Sequence, residues 1–190
     1  MSIAGRGREP CAEMDAARVL ELFQHLEQRG IRVWLDGGWA VDALLETQTR
    51  AHDDLDLVTR IEDNDRIVAA LGEKGYVVRY DAAPSCFVLV DDEGHQVDVH
   101  PAAFASSGEG VYRMENGEDW IFPAAGFAGV GRILDREVPC LTADVVLVNH
   151  TTGYTLDDEH ERDVEALSRR YGLPVPEHAR APGRAPPGSA

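Results

Sequence analysis

Apolar side chains near the N-terminus recur at the spacing of one face of a helix. Four of them lie at this spacing: Val19, Leu22, Phe23 and Leu26. Asp15 precedes them, and its carboxylate can accept hydrogen bonds from the free N–H groups of a helix start. Gly30 tolerates the left-handed conformation in which many helices end. The pattern therefore predicts a helix between Asp15 and Gly30 that packs its apolar face on a core.

Short apolar runs then alternate with helix-like segments. Residues 31–35 and 55–59 have the composition of strands, and residues 63–74 have the periodicity of a helix that Gly75 ends. Residues 76–80 form a third strand-like run. Strands that alternate with helices predict an α/β arrangement.

A hairpin follows these elements. The apolar runs at residues 87–90 and 96–99 flank the acidic turn at residues 91–94, which contains a glycine. Because the strands of a hairpin are antiparallel, we expect a mixed sheet rather than a purely parallel one. The predicted fold class is α/β (α+β), with a mixed β-sheet core flanked by helices.

The segment at residues 104–138 is rich in glycine and aromatic residues and gives a weaker pattern. Residues 119–122 and 132–134 are strand-like, but the pattern does not assign them partners. Beyond Pro139 the periodicity becomes helical again.

Two helices are predicted in the C-terminal part. Thr142 can cap a helix that extends to about His150, and Asp158 can open another that runs to Tyr171 and ends at Gly172. We therefore expect a C-terminal helical portion.

These elements define four parts of the chain. Residues 15–141 form the predicted core, and residues 142–173 form the helical portion packed on it. Residues 1–14 and 174–190 mix glycine, arginine and proline without periodicity, which predicts disordered tails. We find no internal repeat.

The composition of the chain limits the classes of function that it can have. The 190 residues are 44% apolar and include 18 basic and 34 acidic side chains, for a formal net charge of -16. This charge disfavours binding to a nucleic-acid backbone and favours cationic partners. The three cysteines are widely spaced, and no segment approaches the roughly 20 apolar residues of a membrane span. We expect a cytoplasmic protein, monomeric or homodimeric, that binds neither nucleic acid nor membrane.

The strongest chemical signal begins where the first predicted strand ends. Gly37 and Gly38 open a short helix, whose free N–H groups and positive dipole end favour an anion such as phosphate. On the next strand, Asp54 and Asp56 project to the same face because side chains alternate along a strand. Asp98 lies on a later strand and is the third candidate carboxylate.

Three neighbouring carboxylates suit metal-dependent phosphate transfer. Asp54, Asp56 and Asp98 offer the hard oxygen ligands that Mg²⁺ prefers, and two Mg²⁺ ions roughly 3.5–4 Å apart can clamp the attacking and leaving oxygens. Asp98 is also the candidate general base. Without metal, we expect at least one of the three to resist ionisation.

The same residues resemble a known family. The segments Gly37-Gly38-Trp39-x-Val41-Asp42, Arg50-x-His52-x-Asp54-x-Asp56 and Val97-Asp98-Val99-His100-Pro101 are similar to those of the small aminoglycoside and lincosamide nucleotidyltransferases, within the polymerase-β-like nucleotidyltransferase superfamily. The similarity covers about residues 15–172.

The resemblance implies a function and a set of roles. It implies transfer of a nucleoside monophosphate, expected to be AMP from ATP, to a hydroxyl of a small antibiotic-like and possibly cationic molecule, with release of pyrophosphate. Gly37 and Gly38 would lie at the triphosphate, Asp54 and Asp56 would bind metal, and Asp98 would be the third carboxylate.

Several nearby residues allow a second interpretation. Arg50 and His52 are candidates for binding the nucleotide, but Arg50 can instead form a salt bridge and His52 can be structural. His100, which precedes a proline, is interpreted as structural, and Asp42 as a possible helix cap. Asp53 departs from the family pattern, and an extra acid there can weaken triphosphate binding or recruit a cation.

Two other functions remain open. The first is adenylylation of a protein partner, as in toxin and antitoxin pairs, and the second is a non-catalytic nucleotide-binding module. A cleft lined by Trp120, Tyr154 and the C-terminal helices would favour a small acceptor, whereas a flat metal face would favour a protein.

Overall fold

The structure is a computed structural model, and it describes residues 12–152 and 158–176 of the chain. In chain order, the strands of this part are β1 (Val33–Leu35), β2 (Asp54–Arg60), β3 (Val77–Asp81), β4 (Phe87–Val90), β5 (Gln96–Phe104), β6 (Gly110–Arg113), β7 (Asp119–Phe122), β8 (Gly129–Ile133) and β9 (Arg136–Cys140). Its α-helices are α1 (Ala16–Gln28), α2 (Gly37–Leu45), α3 (Asn64–Gly72), α4 (Ala143–Thr151) and α5 (Asp158–Tyr171).

All nine of these strands join one mixed sheet. Its main path runs β3-β4-β5-β2-β1-β9-β8, and β6 and β7 extend it from the far end of β5. The β2–β5 and β1–β9 pairs are parallel, and the remaining pairs are antiparallel. The predicted mixed α/β fold is confirmed.

The central strands β2 and β5 divide apolar from acidic side chains. Leu55 and Leu57 on β2 and Val97 and Val99 on β5 are fully buried in the hydrophobic core. The alternating positions on the same strands carry carboxylates instead. Burial of one face therefore fixes the register that brings the acids together on the other.

The first helix begins as predicted, but the strand after it is shorter. The Arg18 N–H donates to the Asp15 carboxylate at 2.8 Å, which caps α1. At the other end Gly30 has a φ of +64°, and the Ile31 N–H donates to the Leu26 carbonyl at 3.0 Å. Ile31 thus belongs to the helix termination, and β1 begins at Val33.

The helix predicted for residues 63–74 is also shorter than its sequence pattern indicates. Residues Ile61–Asp63 form a 3-10 turn, and α3 then covers Asn64–Gly72. The hairpin of β4 and β5 forms as predicted, although β5 extends through Phe104.

The glycine-rich segment contains more sheet than its sequence pattern indicates. Residues 119–122 coincide with β7, whereas the second strand-like piece is the end of β8. β8 forms a hairpin with β9, and Leu134 in its turn has a φ of +53°. β9 is held in place by parallel pairing with the distant β1.

The C-terminal helices pack against α2 and against each other. These helices bury several apolar side chains, including Val146, Leu147, Val164 and Leu167. The predicted helical portion therefore shares the core of the sheet.

The N-terminal boundary of the folded part precedes residue 15. Met14 is fully buried, its N–H donates to the His52 carbonyl at 2.7 Å, and its carbonyl accepts from the Trp39 indole at 3.1 Å. Residues 12–14 are thus anchored to the core. The rest of both predicted tails, residues 1–11 and 177–190, lies outside the described residues.

No helix within the described ranges is long and apolar enough to cross a membrane.

Candidate active site

Parallel pairing of β2 with β5 brings the three predicted carboxylates together. Asp56 lies opposite Asp98 in the register, and Asp54, two residues earlier on β2, lies opposite Gln96. Asp98 is 1% exposed and Asp56 is 5% exposed. The Gln96 side-chain amide donates to Asp98 at 2.7 Å. The site is therefore acidic and largely withdrawn from solvent.

This crowding changes how the carboxylates ionise. Burial raises the pKa of Asp98 to about 8, and repulsion from Asp56 and Asp54 acts in the same direction. Burial also opposes ionisation of Asp56, but a hydrogen bond from His100 acts in the opposite direction, and the pKa of Asp56 is lowered. The pair thus divides into an ionised Asp56 and an Asp98 that holds its proton near neutral pH.

His100 belongs to this site. Its Nε2–H donates to the Asp56 Oδ1 at 3.1 Å, and its ring meets Tyr112 edge-on at 5.7 Å. The sequence pattern alone favours a structural role for His100. The structure adds that His100 shares a strand face with Asp98 and hydrogen-bonds Asp56. The sequence signal for this position is the two-residue spacing between Asp98 and His100, which puts both side chains on one face of β5.

Gly37 is required by the approach of Asp56. Its φ is +60°, and a Cβ added there would lie 2.0 Å from the Asp56 Oδ2. A side chain at Gly38 would lie 2.5 Å from Arg50 Nη2 and 2.6 Å from His52 Nδ1. Both glycines therefore allow functional groups to lie directly against the start of α2.

Asp42 holds the loop that leads to β2. It accepts hydrogen bonds from the Thr49 N–H at 3.0 Å and hydroxyl at 2.6 Å, and His52 Nε2 lies 2.5 Å from its other oxygen. Asp42 and His52 are each 2% exposed. Asp42 is thus a loop anchor and not the helix cap considered from sequence, and His52 is fixed beneath Gly38.

Arg50 links this loop to the last helix. Its guanidinium lies 3.3 Å from the buried Asp163 carboxylate and 3.6 Å from Glu159, both on α5. The ordinary interpretation, a salt bridge, is observed, and the same guanidinium also lies against Gly38.

A cavity of about 570 Å³ opens beside the carboxylates. Asp36, His100, Asn149 and Thr152 line its inner side. The remaining wall comes from the β6–β7 hairpin: Tyr112, Met114, Asn116, Glu118, Asp119, Trp120 and Phe122. Trp120 lines the cavity as expected for a cleft, whereas Tyr154 lies outside the described residues.

Asp36 and Asn149 were not identified from sequence. Asp36 immediately precedes the glycine pair, and an acid at this helix start was the available signal. Asn149 comes from α4, more than a hundred residues further along the chain, and only the packing of α4 on α2 brings it here.

The carboxylate set fits a divalent cation. Asp54, Asp56 and Asp98 supply only hard oxygen ligands. Burial, together with repulsion from Asp56 and Asp54, raises the pKa of Asp98, and a bound cation would favour its ionised form.

Among the described residues, the possible ligand atoms of Asp91, Glu93 and His95, in the β4–β5 turn, all lie within 4.8 Å of one another. Asp91 accepts from the backbone N–H groups of Glu93 and His95 and forms an ion pair with Arg18 at 3.2 Å. These contacts give the Asp91 carboxylate its hydrogen-bond and ion-pair partners within the protein. The group therefore has a structural role, which is to hold the turn of the hairpin.

Comparison with known sequences covers most of the chain. The sequence profile of the aminoglycoside-2''-adenylyltransferase family matches residues 18–167. A lincosamide resistance protein from Staphylococcus haemolyticus is 28% identical over 155 residues, which are 82% of this chain and 93% of the relative. A 2''-aminoglycoside nucleotidyltransferase from Klebsiella pneumoniae is 28% identical over 137 residues, 70% of this chain and 73% of that protein.

Solved structures share the architecture. The lincomycin-bound lincosamide antibiotic adenylyltransferase LnuA matches with a TM-score of 0.74 and 25% identity, over 83% of this chain and 98% of that one. ANT(2'')-Ia in complex with adenylyl-2''-tobramycin matches with a TM-score of 0.66 and 20% identity, over 82% of this chain and 88% of that one. The second likeness is one of fold.

Proposed function

Because the chain belongs to the aminoglycoside-2''-adenylyltransferase family and is a nucleotidyltransferase, we propose that it transfers AMP from ATP to a hydroxyl of a small antibiotic-like molecule. Pyrophosphate is the second product. The observation that carries this proposal is the grouping of Asp54, Asp56 and Asp98 by the β2–β5 register. Asp56 lies against Gly37 at the start of α2 and is hydrogen-bonded to His100, which lines a cavity of about 570 Å³.

The three carboxylates are the proposed metal ligands. Asp54, Asp56 and Asp98 would hold Mg²⁺, with two ions as the expected number. When bound, the metal supplies positive charge that neutralises the triphosphate and favours the ionised form of Asp98. The hydrogen bond from His100 to one oxygen of Asp56 fixes the orientation of this carboxylate.

The start of α2 is the proposed triphosphate site. The Gly37 and Gly38 N–H groups lie at the positive end of the helix dipole, and Arg50 beside Gly38 adds a cation. His52 is buried, so its proposed contribution is to support the Gly38 turn from below.

Asp98 is the proposed general base. An acceptor hydroxyl in the cavity loses its proton to the Asp98 carboxylate, and its oxygen forms a bond with the α-phosphorus. The bond from that phosphorus to the oxygen bridging to the β-phosphate breaks, and pyrophosphate leaves with the electron pair. Asp98 is 1% exposed, so little water reaches its carboxylate.

A concave acceptor site favours a small molecule over a protein. Aromatic side chains Tyr112, Trp120 and Phe122 supply apolar contact, while Glu118 and Asp119 add negative charge. Lincosamide and aminoglycoside antibiotics, on which the relatives act by name, combine hydroxyl and amine groups that suit such a surface. The three retained carboxylates favour catalysis over a non-catalytic module, since a silent site gains nothing from their repulsion.

The experiment is pyrophosphate release from each nucleoside triphosphate with Mg²⁺, in the presence of lincomycin or tobramycin. We expect release with ATP that requires one of these acceptors. Asp54→Asn removes a ligand charge without changing shape, so it should lower the rate by about a hundredfold or more.

The matched control is Asp65→Asn, which removes one exposed acid from α3 and should keep the wild-type rate. Near-normal turnover by Asp54→Asn would contradict the metal assignment. No release with any acceptor, despite binding of nucleotide, would contradict a small-antibiotic acceptor.

A further inference from the structure

Asp36 occupies the capping position of α2 but does not cap it. It directly precedes Gly37, and no hydrogen bond joins its side chain to the helix start. An acid at this position ordinarily accepts from the first free N–H groups of a helix. Here the carboxylate turns toward the cavity, which it lines together with His100.

Asn149 orients this carboxylate. Its Nδ2 group donates to both Asp36 oxygens, at 3.1 Å and 2.9 Å. Asn149 also lines the cavity, and its Oδ1 is buried without a hydrogen-bond partner in the described part of the chain. The pair therefore presents an orphaned carbonyl oxygen and a carboxylate, both of which can only accept.

The charge of Asp36 lacks a counterion among residues 12–152 and 158–176. Asp36 is 5% exposed, and the side chain that hydrogen-bonds it there is the neutral amide of Asn149. His150 lies near, but burial lowers its pKa and favours its neutral form. Burying a carboxylate without positive charge is costly, so the arrangement is complemented by a cation with several N–H donors.

We propose that Asp36 and Asn149 form an amine-recognition subsite that binds a protonated amine of the acceptor and thereby determines acceptor specificity. This inference rests on the proposed function, because it assumes that the cavity holds the acceptor. A protonated primary amine, as in tobramycin, donates to the Asp36 carboxylate and to the Asn149 oxygen at once, which a neutral hydroxyl with one donor does not. A protonated tertiary amine, as in lincomycin, has one N–H and donates it to Asp36. The apolar wall of the β6–β7 hairpin then contacts the rest of the molecule.

The test compares binding and turnover in Asp36→Asn, Asn149→Leu and wild-type protein. Calorimetry with lincomycin and with tobramycin, in the absence of nucleotide, measures acceptor binding directly. We expect either substitution to weaken binding of the amine acceptor by about tenfold or more, the scale of a lost charge-assisted hydrogen bond. In the pyrophosphate assay the KM for that acceptor should rise, while the KM for ATP stays within about twofold of its wild-type value.

Two controls separate charge recognition from damage to the fold. Asp144→Asn removes an exposed acid from the same helix as Asn149 and should leave acceptor binding unchanged. Fully N-acetylated tobramycin, whose amines are neutral amides, should bind wild-type and Asp36→Asn protein equally weakly. Unfolding midpoints confirm that each variant is folded.

The outcomes distinguish this inference from the proposed function. Turnover of an amine acceptor with an unchanged KM in Asp36→Asn overturns the subsite and leaves the function standing. Binding that depends on Asp36 without pyrophosphate release supports the subsite and overturns the function. A change confined to the KM for ATP assigns Asp36 to the nucleotide site and overturns the inference, and no binding of either acceptor by wild type overturns both.

Discussion

Single residues constrain the active site most tightly at Gly37. Its left-handed φ of +60° costs about 1–2 kcal/mol for a residue with a Cβ, and that Cβ would also collide with the Asp56 carboxylate. We expect Gly37→Ala to lower the free energy of unfolding by more than this backbone cost and to abolish most turnover. Urea denaturation and the pyrophosphate assay measure the two effects.

Gly75→Ala is the matched control. Gly75 has a φ of +89°, but nothing lies within 4 Å of an added Cβ. It should show the backbone cost alone and retain full activity. Equal effects of the two substitutions on stability and turnover would show that the Asp56 contact is unimportant.

The raised pKa of Asp98 links stability to pH. In the folded protein Asp98 keeps its proton up to a pKa of about 8, whereas in the unfolded chain an aspartate loses it near roughly pH 4. Its contribution to stability is therefore fully present below the unfolded value and is lost as pH rises through about 8. We expect the metal-free protein to lose stability from Asp98 across this range, and Mg²⁺ to restore it.

Urea midpoints between about pH 5 and pH 8, with and without Mg²⁺, measure this effect, and Asp98→Asn serves as reference. The difference between wild type and variant isolates Asp98, because His150, whose pKa is lowered, contributes an opposite slope to both. Parallel pH profiles for the two proteins would contradict the assignment.

Residue positions that depend on one strand could be predicted from sequence, and those that depend on packing could not. Asp54 and Asp56 share a face because strands alternate, and Asp98 follows the same rule on β5. Asn149 reaches the cavity only because α4 packs on α2, and local periodicity carries no information about that contact.

At the scale of elements, the loop before β2 is fastened to α5 by Arg50 and Asp163. Asp163 is 4% exposed, so Arg50→Met would leave a buried carboxylate without its cation. We expect a loss of about 1–3 kcal/mol in unfolding free energy, less than for a fully buried pair because Arg50 is partly exposed. Nucleotide affinity should fall as well, since Arg50 also lies against Gly38.

Lys74→Ala provides the comparison for this prediction. Lys74 pairs with Glu21 at 2.7 Å, and both side chains are substantially exposed. Such surface pairs contribute about 0–1 kcal/mol. If Arg50→Met is no more destabilising than Lys74→Ala, the Arg50–Asp163 pair does not secure α5.

Helices and strands could be predicted where the sequence pattern that specifies them lies within one continuous segment. The apolar stripe of α1 and its Asp15 cap lie within one segment, and the structure matches them. β8 and β9 have glycine and proline within them, and β9 is held by parallel pairing with β1. Their stability comes from distant partners, so a local pattern could not assign them.

For the whole molecule, the boundaries of the folded unit remain a prediction. The buried faces of α4 and α5 pack on α2. A chain that ends at Leu141 would lack the buried Val146 and Val164, and it would expose the core residues that these side chains cover. We expect this truncation to abolish cooperative unfolding, whereas removal of residues 177–190 should leave the unfolding midpoint unchanged. Circular dichroism during thermal unfolding distinguishes the two chains.

A lower unfolding midpoint after removal of residues 177–190 would contradict the prediction that this segment is a tail. Cooperative unfolding of residues 1–141 alone would show that the helical portion is a separate unit.

The β6–β7 hairpin has an evolutionary consequence. Among the described strands it pairs with β5 alone, yet residues 110–122 supply most of the cavity wall. The carboxylates and the glycine turn belong to other segments. Insertion, deletion or recombination within one short stretch of the gene can therefore reshape most of the cavity wall while the carboxylates and the glycine turn are inherited intact.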